Sequence, residues 1–363
     1  MRGVRQIDYV ISVSIFILIV FGIAMLSSAS SDLGKLKFDD AYYYLKHQAL
    51  YGLSLGIVGF LAGLYVPFGY YKKFAPVLLI LSLGALILVF TPYGVTSGGA
   101  QRWIQLGPVT IQPAEILKLT FIIYLAAWLS SSRRDRQHGL LEGFLPFLAV
   151  SGIIGVLLLL QKSTSAVVII MLTALGTYFV GGAKKIYILY AVLLGAAVLA
   201  GVIYFTPYRL DRVKTFFEPT QDSQNAGYQL NQSLITIGSG GIFGVGYGKS
   251  VSKVYLPEKI GDSIFAVIAE EFGFLGSIVL IGTFFAIVFQ GYRLAKRTGD
   301  KFGKLLLVGF STIIGVQAFI HIASTSGLIP LTGVPLPFIS YGGTALAVFM
   351  TMSGIMLNLG KNA

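Results

Sequence analysis

A polar loop gives way to a strongly apolar helix within the stretch Tyr255-Leu-Pro-Glu-Lys-Ile-Gly-Asp-Ser-Ile-Phe-Ala-Val-Ile-Ala-Glu-Glu271. Asp262 stands at this transition, where a carboxylate can meet both a charged head group and a buried wall. An Asp before an apolar run is also a good helix N-terminus, because it satisfies free N–H groups and complements the helix dipole. The residue alone leaves both interpretations open.

The rest of the chain is far too apolar for a soluble domain. Hydrophobic residues make up 55% of the 363 residues and charged residues 12%, and the mean hydropathy is +0.79. A span needs about 20 mostly apolar residues to cross ~30 Å of hydrocarbon. We predict an all-α polytopic membrane protein with about ten transmembrane helices. The predicted spans are 8–28, 48–66, 74–91, 112–130, 144–160, 166–182, 186–205, 262–291, 305–326 and 340–359.

The lysines and arginines set the predicted orientation. With the N-terminus inside, the cytoplasmic loops carry Arg2, Arg5, Lys72, Lys73, Arg133, Arg134, Arg136, Lys184, Lys185, Arg293, Lys296, Arg297, Lys301, Lys304 and Lys361. The opposite orientation would translocate all of them, so we expect both termini to be cytoplasmic.

The net charge of +12 could suggest a nucleic-acid partner, but the basic residues are spread over short loops at membrane edges. They more simply fix the topology and attract anionic membrane lipid, so we expect no nucleic acid. The lack of cysteine excludes disulfides and Cys-ligated metals. Residues 1–30 resemble a signal peptide, but the long apolar run favours an uncleaved first span.

One long insert lies outside the predicted spans, from about Thr206 to Gly261 on the external face, between spans seven and eight. A loop of this length is usually functional or disordered, and its aromatic residues and glycines favour an ordered, hinged lid. Within it, 226–238 resembles a short amphipathic helix on the membrane. The glycine-rich segment 239–248 weakly resembles a phosphate-cradling loop. We find no internal repeat, so residues 1–363 are predicted to form a single membrane domain.

A second block is Gly98-Gly-Ala-Gln-Arg-Trp-Ile-Gln-Leu-Gly-Pro-Val-Thr-Ile-Gln-Pro-Ala-Glu-Ile-Leu-Lys118. Its external loop carries Arg102, and Pro113 suits the first turn of the span that follows. Glu115 and Lys118, at i and i+3, share one face of that helix. Charges within spans usually face a protein interior or a water-filled cavity. The pair is therefore either a structural ion pair or part of a functional cavity. Arg102 is either a snorkelling charge or a donor to a pyrophosphate.

Glu270 and Glu271 lie ~12–14 Å deeper than Asp262 at the rise of an α-helix. Two adjacent carboxylates near mid-membrane cannot both face lipid, so at least one must be protonated or paired. Lys118 is a conceivable partner.

The third block is Gly327-Leu-Ile-Pro-Leu-Thr-Gly-Val-Pro-Leu-Pro-Phe-Ile-Ser-Tyr-Gly-Gly-Thr344. Its prolines prevent a regular helix, and the segment from Ser340 to Gly343 allows close approach of another element or a ligand. Broken backbone at membrane depth is tolerated where it is buried or lines a cavity. Taken alone, this block could belong to a transporter.

In this order, the blocks resemble the motifs of the SEDS family of integral-membrane cell-wall polymerases, which includes FtsW and RodA. Further matching segments are Tyr-Arg-Leu-Asp-Arg-Val at 208–213 and Gly-Tyr-Gln-Leu-Asn-Gln-Ser at 227–233. The resemblance covers roughly residues 95–345, and the predicted topology agrees with that of the family.

The resemblance implies a peptidoglycan glycosyltransferase that polymerises lipid II at the outer face of the bacterial cytoplasmic membrane. Asp262 matches the catalytic Asp of the family, and Glu115 and Lys118 match its polar pair. Arg102 and Lys118 are candidates to stabilise the leaving pyrophosphate, and Ser340 is a further substrate-binding candidate. A divalent cation, Mg or Mn, could lie between phosphate oxygens. The implied partners are lipid II, the growing glycan strand, a class B penicillin-binding protein and other divisome proteins.

The segment 246–258 resembles the FtsW branch of cell division, whereas Val334-Pro-Leu-Pro337 resembles the RodA branch of elongation. A lipid II flippase or transporter would also need a polar cavity and broken helices, and a weakly active scaffold for a transpeptidase is a third possibility. External motifs and an intact Asp262 favour the enzyme.

Two positions depart from the family pattern. Ser163 stands where the family usually has an Asp, and the neighbouring Lys162 could change how an anionic lipid is held. His321 stands where the family commonly has Asn. We expect His321 to be a hydrogen-bonded packing residue rather than a metal ligand.

Overall fold

The protein is a bundle of helices with one small sheet, in a computed structural model that describes residues 8–97, 99–107, 109–131, 139–218 and 226–361. The helices are α1 Tyr9–Phe38, α2 Tyr43–His47, α3 Ser54–Tyr65, α4 Phe68–Leu88, α5 Pro113–Leu129, α6 Leu145–Leu160, α7 Thr164–Val180, α8 Lys185–Tyr204, α9 Pro207–Phe217, α10 Ala226–Ser239, α11 Ile264–Arg297, α12 Lys301–Thr325 and α13 Gly343–Gly360. A π-helical turn, Gln48–Leu53, joins α2 to α3, and another, Leu140–Phe144, leads into α6. A short 3-10 turn, Ser252–Val254, precedes α11.

Each predicted span coincides with a helix over most of its length. Within the described ranges, 8 helical segments are long and apolar enough to cross a membrane. Two further helices at predicted spans, α5 and α7, have 17 residues each, slightly fewer than the about 20 that a full crossing needs. The protein is therefore a multi-pass helical bundle, and the number of ten spans stays a prediction.

A three-stranded antiparallel sheet is the main departure from the predicted all-α fold. Its strands are β1 Gly94–Ser97, β2 Ala100–Leu106 and β3 Val109–Ile111, in the order β1-β2-β3. Ile104 at its centre pairs with Gly94 on one side and Ile111 on the other. The strands are short and rich in glycine and polar residues, so the sequence predicts an external loop there instead of strands.

Small residues bring the inner helices close together. A Cβ added to Gly63 in α3 would lie 2.7 Å from the carbonyl oxygen of Thr351 in α13, and one added to Gly354 would lie 2.2 Å from that of Phe60. Such contacts let backbones approach closely, which is how helices associate in lipid without a hydrophobic driving force. α12 and α13 are buried along most of their length.

The glycine-rich segment 239–248 packs into a break in α11 and is not arranged as a phosphate cradle. Gly273 has φ 67° and ψ −165°, which interrupts the helical hydrogen bonds. The segment replaces them, because Val245 and Gly246 donate to the carbonyls of Glu270 and Glu271 at 2.9 and 3.0 Å. In turn, the carbonyl groups of residues 241 and 242 accept hydrogen bonds from the N–H groups of residues 274 and 275 in α11. The glycines serve this backbone contact.

We expect Gly240→Ala to destabilise the protein, because its new Cβ would lie 2.0 Å from the carbonyl oxygen of Ala269. Forced overpacking of this kind typically costs about 1–3 kcal/mol. Gly238→Ala is the matched control, since a Cβ there meets nothing within 4 Å. Gly238 is an exposed helical glycine, so its replacement by alanine should stabilise the protein by about 0.5–1 kcal/mol. Thermal unfolding of the purified variants measures both effects. Equal melting temperatures for the two variants would contradict the packed break.

The two ends of the bundle differ in character. At one end Lys72 lies over the ring of Phe302, Lys361 lies over that of Tyr65, and the side chain of Gln290 donates to Asp8. The opposite end carries the sheet, α9 and the segment 326–342. This grouping agrees with the predicted alternation of spans, although which end is cytoplasmic remains a prediction. Five basic residues used for that prediction, Arg2, Arg5, Arg133, Arg134 and Arg136, lie outside the described residues.

The predicted long insert is folded in its described parts. It contains α9 and α10, and residues 219–225 lie outside the described ranges. The predicted amphipathic helix is confirmed as α10, and it packs on α11 and α9. Leu230, Ser233 and Thr236 form its buried face, whereas Leu234 and Ile235 are exposed. Its place relative to a membrane surface stays a prediction.

Candidate functional site

A cavity of about 420 Å³ opens at the end of the bundle that carries the sheet. It lies among β2, α5, α7, α9, α12 and the proline-rich segment 329–335. The charged residues that line it are Arg102, Glu115, Lys118, Lys162, Arg209 and Arg212. The structure thus brings the predicted Arg102, Glu115 and Lys118 together around one space, with three further cations.

Glu115 and Lys118 form a buried ion pair on α5. Nζ of Lys118 lies 2.5 Å from Oε1 of Glu115 and donates to Oε1 of Gln317 at 2.7 Å. The side chains are 3% and 2% exposed, so the pair lies inside the protein. Oε2 of Glu115 has no hydrogen-bond partner among the described residues. An ammonium group carries three N–H donors, so one remains for a group in the cavity.

Gln317, which was not among the predicted site residues, connects this pair to the segment 329–335. Its side-chain amide donates to the carbonyl of Pro335 at 2.9 Å. A glutamine inside an otherwise apolar span was the available signal, because polar groups in spans usually meet other protein groups.

The segment 329–335 is held by side chains because its prolines prevent helical hydrogen bonds. Arg212 donates to the carbonyl of Leu331 at 3.0 Å, and Ser165 donates to that of Thr332 at 2.6 Å. Nδ1 of His321 lies 2.6 Å from the carbonyl oxygen of Val334. This contact confirms His321 as a hydrogen-bonded packing residue.

Asp262 lies against Gly333, which belongs to this segment and lines the cavity. A Cβ added to Gly333, which has φ +63°, would lie 3.2 Å from Oδ2 of Asp262. The positive φ favours glycine here, and the carboxylate faces the backbone of a segment that lines the cavity. Asp262 itself is partly buried just before α11.

Asp262 does not cap α11. The N-cap residue is Ser263, and its side chain makes no capping hydrogen bond. Within the described part of the chain, the Asp262 carboxylate accepts no hydrogen bond, whereas its backbone carbonyl accepts one from Thr325 at 3.3 Å. The structure therefore contradicts the helix-cap interpretation of Asp262.

Burial, and to a smaller extent the nearby Glu258 carboxylate, raise the pKa of Asp262, which lies at about 6. Arg212 and Arg102 act in the opposite direction by favouring the charged form. Desolvation disfavours a carboxylate ion, and opposite charges restore it. The result is a carboxylate that can be ionised near neutral pH and still accept a proton.

Arg102 reaches from β2 to the end of α6. Its guanidinium donates to the carbonyls of Gln161 and Lys162 at 3.2 and 2.5 Å, and burial lowers its pKa. Lys162, in a left-handed conformation with φ 56°, donates to the carbonyl of Gly99 at 3.0 Å. Arg102 is therefore held at the cavity by hydrogen bonds, which does not fit the interpretation as a freely snorkelling charge. Lys162 adds a further positive charge to the cavity wall beside Ser163.

Ser340 does not line the cavity. Its buried hydroxyl donates to the carbonyl of Gly261 at 2.7 Å and accepts from the N–H of Leu336 at 2.8 Å. The N–H of Tyr341 donates to the carbonyl of Ile260 at 2.8 Å. These bonds attach the segment 336–341 to the loop that carries Asp262.

Glu270 and Glu271 have partners other than Lys118, so that suggestion was wrong. Glu270 accepts from the hydroxyls of Ser250 and Ser252. Glu271 accepts from the hydroxyl of Ser28 and lies 3.8 Å from Nζ of Lys253. The structural-pairing interpretation is correct, and its partners come from the segment 239–254 and α1.

Within the described ranges, no group of three or more His, Asp or Glu side chains could hold a metal ion. A divalent cation would depend on phosphate oxygens for most of its ligands. The predicted Mg or Mn ion stays a prediction.

A family model described as "Cell cycle protein", which covers FtsW, RodA and SpoVE, matches residues 9–363 of the chain. A probable peptidoglycan glycosyltransferase FtsW of Geobacter sp. (strain M18) is 37% identical over 99% of this chain and 98% of its own length. The stage V sporulation protein E of Bacillus subtilis (strain 168) is 32% identical over 98% of this chain and 97% of its own.

Solved structures share the fold over nearly the whole chain. A chain of a peptidoglycan synthase complex that coordinates polymerization and crosslinking superposes with a TM-score of 0.81 at 24% identity, covering 98% of both chains. The rod shape determining protein RodA of Thermus thermophilus has a TM-score of 0.70 at 25% identity, covering 98% of this chain and 96% of its own.

Proposed function

Because the chain belongs to the FtsW/RodA/SpoVE family of cell cycle proteins, we propose that it is a peptidoglycan glycosyltransferase that polymerises lipid II. The observation that carries this proposal is the carboxylate of Asp262, which does not cap α11 and lies beside Gly333 at a cavity lined by cations. A base beside a site for an anionic leaving group is the arrangement that glycosyl transfer from a pyrophosphate requires.

In the proposed reaction, the 4-hydroxyl of the acceptor GlcNAc attacks the anomeric carbon of the donor MurNAc. The bond from that carbon to the pyrophosphate breaks, and its electron pair leaves with the phosphate oxygen. In-line attack inverts the α linkage to β-1,4. The carboxylate of Asp262 takes the hydroxyl proton as the new bond forms, because a positioned base is most effective when its pKa lies near the operating pH.

The cations of the cavity would hold the leaving group. Arg102, Arg209 and Arg212 present guanidinium groups, which match phosphate oxygens with paired donors. Lys118 offers its remaining N–H while Glu115 and Gln317 fix its position. Ser340 would act on Asp262 indirectly, through its bond to Gly261.

The names of the relatives favour a role in cell division over one in elongation. By analogy with the synthase complex that shares its fold, we propose a class B penicillin-binding protein as the partner that crosslinks the strands. The proposed location is the bacterial cytoplasmic membrane, with both termini in the cytoplasm and the cavity on the outer face. Lys72 and Lys361 at the opposite end support this orientation.

Glycan-strand formation from lipid II tests the proposal. The protein, purified with its penicillin-binding partner and reconstituted in vesicles, should convert lipid II to polymer that a muramidase digests. Lipid II that crosses the vesicle membrane without polymer would instead identify a flippase, the alternative suggested by the broken segment 329–335.

A further inference from the structure

Resting on the proposed function, we propose that a cluster of aromatic rings beside residues 255–262, the Asp262 loop, binds the sugar rings of the growing glycan strand. The aromatic cluster consists of Phe38, Tyr43, Tyr44, His47, Tyr51 and Tyr341. None of these residues lines the cavity that contains the cations, so the aromatic cluster is a separate surface beside the proposed base.

The rings of the aromatic cluster contact one another in a continuous row. Phe38 stacks on Tyr43 with 3.7 Å between the ring centroids and 10° between the ring planes. Tyr44 meets Tyr341 edge to face at 5.3 Å, and the hydroxyl oxygen of Tyr341 lies 2.9 Å from Nδ1 of His47. Such contacts hold rings in defined orientations. The surface is therefore arranged before a ligand arrives, which lowers the entropy cost of binding.

The end of α1 carries the aromatic cluster out of the membrane. α1 has 30 residues and is about 45 Å long at the rise of an α-helix, whereas the hydrocarbon is ~30 Å thick. Its last part, residues 27–38, reads Ser-Ser-Ala-Ser-Ser-Asp-Leu-Gly-Lys-Leu-Lys-Phe and is mostly polar. Phe38 therefore stands about 15 Å beyond the hydrocarbon and is 46% exposed. The rings of an interfacial aromatic belt lie closer in, at the level of the lipid head groups.

Two contacts attach the aromatic cluster to the Asp262 loop. The N–H of Tyr341 donates to the carbonyl of Ile260 at 2.8 Å, and Lys259 forms an ion pair with Asp32 of α1. Ile260 and Asp262 are two residues apart, so at most ~7 Å of backbone separates them. The aromatic cluster thus lies within the reach of a short saccharide from the proposed base.

The charges around the aromatic cluster favour a neutral ligand. Residues 32–46 carry three lysines and three aspartates, and Glu258 and Lys259 add one of each. Lys46 pairs with Asp40 at 2.7 Å. This balance contrasts with the cavity and its excess of cations. A neutral sugar ring suits such a surface, because its C–H face packs on an aromatic ring while its hydroxyls meet the polar rim.

The position of the aromatic cluster favours the growing strand over the incoming lipid II. In the proposed reaction the growing strand is the donor, so its pyrophosphate occupies the cavity and its reacting MurNAc lies beside Asp262. The older sugars of the strand then extend into water. The acceptor lipid II keeps its sugars near the membrane through its own pyrophosphate. Rings that stand well outside the hydrocarbon therefore meet the older sugars of the strand.

Strand length and oligosaccharide binding test the proposal. Phe38→Ala removes an exposed ring and should weaken binding of a peptide-free oligomer of alternating GlcNAc and MurNAc to the protein in nanodiscs by about 2–10-fold, the usual contribution of one aromatic contact. With excess lipid II, the mean length of the strands made should fall by a similar factor, because release becomes faster relative to elongation. Strand length is a ratio of two rates, so it does not depend on the fraction of protein that folds.

Two further variants serve as controls. Phe38→Trp keeps an aromatic face, so oligomer binding and strand length should stay near those of the wild type. Leu36→Ala is the matched control, because Leu36 is 85% exposed at the same end of α1 and carries no ring. Its oligomer binding should lie within about twofold of the wild type.

The outcomes separate this proposal from the proposed function. Unchanged oligomer binding and strand length in Phe38→Ala would overturn the role of the aromatic cluster and leave the glycosyltransferase standing. Oligomer binding by a wild-type protein that makes no polymer would instead count against the proposed function and leave the aromatic cluster as a saccharide site.

Brominated phospholipids separate the strand from the membrane as the occupant. The wild type has two tryptophans, so the emission added by Phe38→Trp reports on the aromatic cluster. That emission should change when the oligomer is added and should stay unquenched in brominated lipid, because bromine quenches only at short range. Strong quenching by brominated lipid without a response to the oligomer would identify an interfacial aromatic belt and overturn the proposal.

Discussion

Asp262→Asn should reduce glycan-strand formation from lipid II by about 10²–10⁴-fold, the usual contribution of a positioned general base. The amide keeps the shape of the side chain but cannot accept the proton of the attacking hydroxyl. Folding should be nearly unaffected, because the Asp262 carboxylate accepts no hydrogen bond within the described part of the protein. The measurement is polymer yield with time for the purified complex, compared with the wild type.

Asp300→Asn is the matched control, because this carboxylate is a true N-cap. It accepts from the N–H of Gly303 at 2.7 Å at the start of α12, far from the cavity. Removing a cap costs typically about 1 kcal/mol, and Asn caps nearly as well as Asp. The control variant should therefore polymerise at the wild-type rate. Activity of Asp262→Asn within a few-fold of wild type would rule out the catalytic role.

The pH profile gives the same prediction a second readout. Since burial raises the pKa of Asp262 to about 6, the base is ionised above that pH and protonated below it. The rate should fall as the pH drops through about 6, and the residual rate of Asp262→Asn should lack this limb. If Asp262→Asn lost activity only because part of the protein misfolded, the rate of the folded remainder would still fall as the pH drops through about 6.

The parts of the site that were predictable from sequence depend on local spacing. Glu115 and Lys118 share a helix face at i and i+3, and their pairing follows from the cost of charge inside a span. Asp262 was singled out because a polar loop meets an apolar helix there. That spacing could not distinguish a cap from a base, since the distinction depends on which N–H groups the carboxylate reaches.

The parts that were missed depend on contacts between distant segments. The partners of Glu271 come from Ser28 and Lys253, which no helical periodicity connects. Gln317 acquires its role only when α12 packs beside α5. The sheet at 94–111 was missed because short strands with glycines carry little periodic signal. Ser340 was predicted to bind substrate, but it does not line the cavity, and its two backbone bonds became visible only in the fold.

Lys118→Met should cost about 3–5 kcal/mol of stability, because it leaves the Glu115 carboxylate buried without its partner. It should also slow polymerisation about 10–100-fold, the equivalent of one charge-assisted hydrogen bond of about 1.5–3 kcal/mol to the leaving group. Thermal unfolding and polymer yield are measured on the same preparations. Lys253→Met is the matched control, since this buried lysine lies 3.8 Å from Glu271 and does not line the cavity.

The double variant Glu115→Gln/Lys118→Met separates the structural from the functional contribution of the pair. Removing both charges eliminates the unpaired buried carboxylate, so stability should return most of the way to wild type. Activity should stay low, because the third N–H of Lys118 is still missing from the cavity. Lys253→Met should lose stability and keep its rate per folded molecule. Recovery of both stability and activity in the double variant would show that the pair only supports the fold, and that Arg102, Arg209 and Arg212 hold the pyrophosphate without Lys118.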